Sequence, residues 1–206
     1  MSDNVKRRYE RIRKEAVEDM RKKYDRVLPL DEMLLDRWKK AELVGFGEKT
    51  SVYENVYIYG KPQVGKNVWI GPFAVLDGSG GLSIGDGCDI SCGVMIFSHS
   101  THLRCVSEGN MSIVKKSVEI GNYVYIGSGA IILPGVKIGD HSIIGAAALV
   151  TKDVPSFSVV MGVPARQVGR VVLEGKTAKV EFGKNLDRAS CLSKNRVSSK
   201  KKARSD

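Results

Sequence analysis

The stretch VEIGNYVYIGSGAIILPGVKIGDHSIIGAAALV, residues 118–150, places Ile120, Ile126, Ile132, Ile138, Ile144 and Val150 six positions apart, with glycine directly after four of them. That period excludes both ordinary elements. On a helix residues six apart point to different faces, and in a flat strand side chains alternate every two. A six-residue step that returns one side chain inward describes one flat side of a coiled backbone, and three such sides close a triangular turn of eighteen residues. Each hexad is then a short strand plus a corner, and the glycine permits a tight or positive-φ bend there.

The same step runs earlier in the chain, through Val52, Ile58, Val64, Ile70 and Leu76. After a two-residue slip at DGSGG, which is turn chemistry, Ile84, Ile90 and Ile96 continue it. Residues 97–117 interrupt the pattern and form a candidate ejected loop. Four positions beyond the phased aliphatics stands a second set of small or branched residues, Val68, Ala74, Val124, Ala130, Val136, Ser142, Ala148 and Val154, sized for a narrow interior. The periodicity therefore predicts an all-β solenoid, a parallel β-helix. One coil cannot bury its own face, so stability must come from stacking. The open ends need covers, for which the N-terminal helical segment and the chain after Pro155 are candidates.

Three parts follow: an N-terminal helical arm over 1–45, the solenoid over 46–166, and a C-terminal extension over 167–206 with a basic tail expected to be disordered. Residues 4–26 read as a surface helix with opposite charges three and four apart and a thin apolar stripe through Val5, Tyr9, Ile12, Val17 and Met20. A second helix is expected over 31–41, with Asp31 as its cap.

The formal charge of +10 on 206 residues invites a nucleic-acid reading until it is located. Residues 1–40 hold 13 Lys/Arg against 9 Asp/Glu, and residues 184–206 hold 8 against 2, while the middle balances at 12 of each. The excess sits on the two ends, so no nucleic-acid partner is expected. The tail is instead a candidate for weak contact with anionic lipid headgroups, or a solubilising end. No apolar run is long enough to span a membrane, and the charged N-terminus lacks the apolar core of a secretory signal, so a cytoplasmic location is expected. Cys88, Cys92, Cys105 and Cys191 contain no CxxC pair and read as reduced packing residues.

The text IGNYVYIGSGAIILPGVKIGDHSIIGAAALVTKDVPSFSVVMGVPARQVG resembles the C-terminal signature of the hexapeptide-repeat acyltransferases, in particular the galactoside, maltose, xenobiotic and polysaccharide O-acetyltransferases. The likeness covers about residues 50–170, and the ending VTKDVP…GVPAR carries most of its specificity. The resemblance implies a left-handed coil, a homotrimer, acetyl-CoA in the groove between two subunits, a sugar or glycan acceptor, and a histidine on the ejected loop.

Acyl transfer from a thioester to a hydroxyl needs a base near neutrality, and imidazole suits this. Two of the three histidines lie in FSHSTHLRC. His99 stands three residues after the last phased aliphatic, Ile96, and corresponds to the single histidine of similar members; His102 is its rival. His141 occupies a corner and reads as structural. A base needs its second nitrogen held, and the sequence does not identify the group that holds it. Asp77, before the slip, could bind an acceptor hydroxyl, though a turn-forming aspartate is the simpler reading.

For the cofactor, the resemblance assigns Ala146, Thr151 and Lys152 to the CoA arm, Arg166 to the nucleotide phosphates and Ser128 to the acetyl end. Tyr125 stands where galactoside and maltose enzymes carry Trp. Two departures matter: Gly169 replaces a second basic residue, with Arg170 adjacent, and Gly71 falls near the acceptor-binding Asn of the galactoside enzymes, whose sugar specificity therefore does not transfer. Neighbouring readings are N-acylation of an amino sugar, a γ-type zinc carbonic anhydrase on the same coil, and a non-catalytic scaffold. The zinc reading needs three convergent histidines, a spacing that His99, His102 and His141 lack, and no metal is expected.

Overall fold

The computed structural model describes residues 3–183 and is a left-handed parallel β-helix of about six turns, with helices at its N-terminal end. Three flat faces alternate along the chain. The first is built from Ser51–Val52, Trp69–Ile70, Asp89–Ile90, Tyr125–Ile126, Ile143–Ile144 and Ser158–Met161, the second from Tyr57–Gly60, Val75–Gly78, Met95–Ile96, Ile131–Ile132 and Leu149–Val150. The third holds Gln63–Val64, Leu82–Ile84, Val118–Ile120 and Lys137–Ile138.

Register makes the six-residue step visible as three inward ladders. On the first face Val52, Ile70, Ile90, Ile126, Ile144 and Val160 are paired rung to rung. Ile58, Leu76, Ile96, Ile132 and Val150 do the same on the second. The third carries Val64, Ile84, Ile120 and Ile138. All but the half-buried Ile58 are buried, and so is every member of the second set from Val68 to Val154. Burying each such side chain contributes about 1.5–3 kcal/mol relative to exposure. Parallel strands stacked about 4.8 Å apart let each backbone amide bond the next coil, so the prism has no free edge except at its ends.

The outward positions differ by face. On the second face they are apolar and half-covered: Val75, Met95, Ile131 and Leu149, below an exposed Tyr57. On the third they are polar, with Gln63, Ser83, Glu119 and Lys137 in line and a Lys137–Glu119 ion pair at 2.9 Å.

The N-terminal end is closed not by the long first helix but by a short third one, while the chain after Pro155 stands at the other end as expected. Helix α1, Asp3–Tyr24, buries no residue and packs by its C-terminal part on α2, Leu30–Leu34. The expected single helix over 31–41 is two, because Asp36 interrupts it. Asp36 caps α3, Arg37–Leu43, by accepting hydrogen bonds from the Trp38 and Lys39 amides, and Asp31 caps nothing. It is α3 that closes the first rung, with Ala41 buried and Lys40 Nζ donating to the carbonyls of Tyr53 and Glu54. At the other end Ser158–Met161 adds a last parallel strand to the first face, and only beyond it does the chain reverse, so that Arg166–Glu174 and Thr177–Phe182 extend that face antiparallel; Val159, Val171 and Val172 are buried there. The basic tail from residue 184 lies outside the described residues.

Positive-φ corners stack as well. Tyr123, His141 and Phe157 all have φ near 60°, and the His141 ring lies between the other two at 5.1 and 5.0 Å. Gly87 sits at the same edge because a Cβ there would fall 2.6 Å from the Tyr123 ring. His141 is thus a structural corner residue, as expected.

Candidate active site

The ejected loop leaves the second face after Ile96 and rejoins the third face at Val118. Its base is a two-stranded antiparallel pair, His99–Ser100 with Val114–Lys115, and its outer part carries the short helix α4, His102–Val106. What anchors this loop is Asp77, one rung below on the second face. Its side chain is 1% exposed, and Oδ2 accepts from the amides of Ser98 at 2.9 Å and His99 at 3.1 Å while Oδ1 accepts from the Ser79 amide at 3.0 Å. The same Oδ2 lies 2.6 Å from His99 Nδ1. Gly80 permits the approach, since a Cβ there would sit 2.1 Å from the Ser98 carbonyl oxygen, and its amide donates to Ser98 Oγ.

Asp77 is therefore the group that the sequence left unidentified. It forms the expected turn through Ser79, and its second oxygen fixes the imidazole. Burial, the largest single influence, pushes its carboxyl up, but the hydrogen bonds from Ser79, then Ser98 and His99, outweigh it and hold the group well below the usual carboxylate range. An ionised Asp77 can only accept, so Nδ1 of neutral His99 carries the proton and Nε2 keeps its lone pair. The His99 side chain is 34% exposed, so the ring is open in part to the outside of the prism. A positioned imidazole with its inner nitrogen on a buried carboxylate can remove a proton from a hydroxyl and return it to a leaving group.

His102 has no such support. It begins α4 on the exposed part of the loop, with Nδ1 2.7 Å from Ser100 Oγ. Among the described residues no three of His, Cys, Asp and Glu are grouped as metal ligands, and His141 lies at a different edge, between its two rings.

Cysteine placement departs from expectation. Cys88 is buried, and burial pushes its thiol up to about 11, but Cys92 and Cys105 are exposed and free rather than packed. Brief alkylation of the native protein is expected to modify Cys92 and Cys105 and spare Cys88, read by peptide mass mapping, because thiolate and access both govern reactivity. Cys191 lies outside the described residues.

The six residues expected to hold the cofactor separate into two groups. Thr151, Lys152 and Arg166 line one shallow groove of about 230 Å³, where the chain after Gly162 folds back over the Leu149 rung. This groove lies along the edge between the second and third faces, the edge from which His99 emerges two rungs earlier. Two rungs are roughly 10 Å at the usual strand spacing. Ser128 and Ala146 stack on successive coils at the edge between the first and second faces, and Tyr125 stands exposed on the first. Within one chain the first trio shares an edge with His99 and the second trio does not.

Residues 117–152 match the family profile described as bacterial transferase hexapeptide (six repeats), and residues 63–98 that of the hexapeptide repeat of succinyl-transferase. Among solved structures, the chain is similar to a hexapeptide-repeat acetyltransferase of Vibrio cholerae, at 26% identity over 78% of this chain and 91% of that one, TM-score 0.60. A maltose O-acetyltransferase of Clostridium difficile matches at 26% identity, over 78% and 86% of the two chains, TM-score 0.57. The N-acyltransferase AntD of Bacillus cereus, in complex with dTDP and 3-hydroxybutyryl-CoA, shares the fold at 19% identity, over 65% and 89%, TM-score 0.55.

Proposed function

We propose that this chain, a hexapeptide-repeat acyltransferase, moves an acetyl group from acetyl-CoA to a hydroxyl of a sugar or glycan, with His99 as general base. The observation that carries the reading is the His99–Asp77 pair at 2.6 Å at the exit of the loop. Nε2 of His99 takes the proton of the acceptor hydroxyl as its oxygen attacks the thioester carbonyl. The carbon–sulfur bond then breaks, and the imidazolium returns the proton to the departing thiolate. Asp77 keeps Nδ1 protonated throughout and stabilises the positive ring, without accepting its proton. Backbone amides at a coil corner can donate to the oxyanion, with Ser128 as the candidate side chain in that region.

Two observations support a homotrimer as the working unit. His99 and the Ser128–Ala146 column stand on different edges of the prism, so a site that uses both needs two copies. The apolar outer ladder of the second face, Val75, Met95, Ile131 and Leu149, supplies a surface for that packing. In such a cleft Lys152 and Arg166 meet the phosphates of acetyl-CoA, Thr151 and Ala146 the pantetheine, and Tyr125 a wall of the groove. The relative at 26% identity named for maltose O-acetylation supports a saccharide acceptor. The proposed location is the cytoplasm, where acetyl-CoA is made available.

The test is free-thiol release from acetyl-CoA by the purified chain with a panel of neutral sugars, amino sugars and oligosaccharides, with product mass measured. Sugar-dependent thiol release with an added acetyl mass on an oxygen is expected. Release confined to amino sugars would shift the reading to N-acylation, and no transfer to any acceptor would overturn it.

A further inference from the structure

The base of the ejected loop places a second side chain next to the assigned base. Strand His99–Ser100 runs antiparallel to Val114–Lys115, and Lys115 stands directly opposite His99. The Lys116 amide donates to the Ser98 carbonyl at 2.9 Å, so the ladder bonds flank the His99–Lys115 pair and do not join it. Pairs of that kind are the closer ones in an antiparallel ribbon: their Cα atoms lie roughly 4.5 Å apart, and both side chains leave the same face. The cross-strand neighbour of the imidazole is therefore an ammonium on a flexible four-carbon stem. Lys116, the next residue, leaves by the opposite side, its stem over Gly135 of the following coil, where a Cβ would lie 3.2 Å from it.

Among the described residues nothing answers that charge. Lys115 is exposed, with no ion pair and no side-chain hydrogen bond. The carboxylate that holds His99, Asp77, is taken up by three backbone amides and the ring. The loop as a whole is basic, with Arg104, Lys115 and Lys116 against Glu108. Acetyl-CoA does not supply the counter-charge at this point in the proposed arrangement. Its phosphates lie with Lys152 and Arg166, two rungs on, at the far end of the pantetheine arm, and the group that arm presents to His99 is a neutral thioester. The remaining reactant is the acceptor, and an ammonium beside the base attracts a carboxylate or a phosphate on it.

We infer that Lys115 is a specificity-determining residue of the transfer, an inference that rests on the His99 reading above: it recognises an anionic group carried by the saccharide whose hydroxyl His99 deprotonates. The acceptor class narrows from sugars in general to acidic sugars. Initial rates of thiol release from acetyl-CoA by the full chain test it, with pairs that differ in the charged group: methyl glucoside and methyl glucuronide, methyl galactoside and methyl galacturonide, glucose and glucose 1-phosphate. For at least one pair the anionic member should be preferred in kcat/KM by about five- to tenfold, between the effect of an exposed ion pair and that of a charge-assisted hydrogen bond, and through KM rather than kcat. The uronide and phosphate pairs tell which anion is read. The preference should shrink as salt rises from about 0.01 M to about 1 M. Lys115→Met should bring the two members of that pair level, and Lys115→Arg should keep the preference. Lys49→Met, which removes one charge at a corner away from the loop, should leave it whole. The KM for acetyl-CoA should be the same in every variant. Equal kcat/KM for neutral and anionic members, a preference that survives in Lys115→Met, a loss of kcat in that variant shared by both members, or a raised KM for acetyl-CoA would overturn the inference and leave the His99 reading in place. No transfer to either member of any pair would overturn both.

Discussion

Replacing His99 with alanine is expected to lower kcat for acyl transfer by about 10²- to 10⁴-fold, the range that a positioned general base supplies. The KM for acetyl-CoA should change little, because no contact with the cofactor runs through the ring in the proposed arrangement. His102→Ala, made alongside, should stay close to wild type. The two histidines are three residues apart on one loop, yet only His99 reaches back to a buried carboxylate, while His102 pairs with Ser100 Oγ on the exposed side. Both variants should fold as the wild type does, since neither side chain is buried in the prism. Steady-state thiol release with the acceptor found in the panel measures the effect. Wild-type turnover in His99→Ala, or a loss of the same size in His102→Ala, would remove His99 from its assigned role.

The solenoid was legible because its information is local and repeated. Each phased aliphatic restates the same geometric demand, and register then follows within each phased block, from Val52 at one end to Val150 at the other. The ends of the molecule lack that redundancy. The break between α2 and α3 depends on one capping aspartate, Asp36, competing with Asp31 for the same task, and local pattern alone favours neither. The hairpin over 166–182 lies beyond the last hexad, and its first strand, with Val171 and Val172 both buried, follows neither the six-residue step nor a strict alternation. Of the candidate site, the place of His99 at the loop exit follows from its distance to Ile96 and its proposed role from the family resemblance, whereas the contact with Asp77 had no such signal. Asp77 stands 22 residues away in sequence, and its turn bond to Ser79 accounts for a DGSGG aspartate fully in local terms. The signal that existed was positional. Asp77 directly follows an inward residue, Leu76, and the next coil places Phe97 beside it, just before the chain leaves the prism. Cys92 shows the converse: it lies in the repeat at a corner, and corners face outward.

Asp77→Ala should show the second large effect, on two separable quantities. The carboxylate accepts three backbone N–H bonds as well as the His99 ring, and unsatisfied buried donors cost about 1–3 kcal/mol each. A loss near 3 kcal/mol is the expected order, which at this chain length lowers Tm by roughly 6–12 °C. Turnover should fall together with it, because an unheld imidazole samples both tautomers and turns its ring. Asp77→Asn separates the two: one amide oxygen can still accept at the His99 side, so more stability is retained, but the charge that stabilises the imidazolium is gone and kcat stays low. The pH dependence has a definite sign. Asp77 sits below the ordinary carboxylate value in the folded protein, so its stabilisation is complete above its unfolded value of about 4 and is lost only as pH falls further, through the folded value. The difference in stability between wild type and Asp77→Ala should therefore shrink as pH falls below about 4. Denaturant titrations across that range measure this directly. A difference that keeps growing below a pH of about 4, or an Asp77→Ala chain with wild-type turnover, would show that the carboxylate neither anchors the loop nor orients the base.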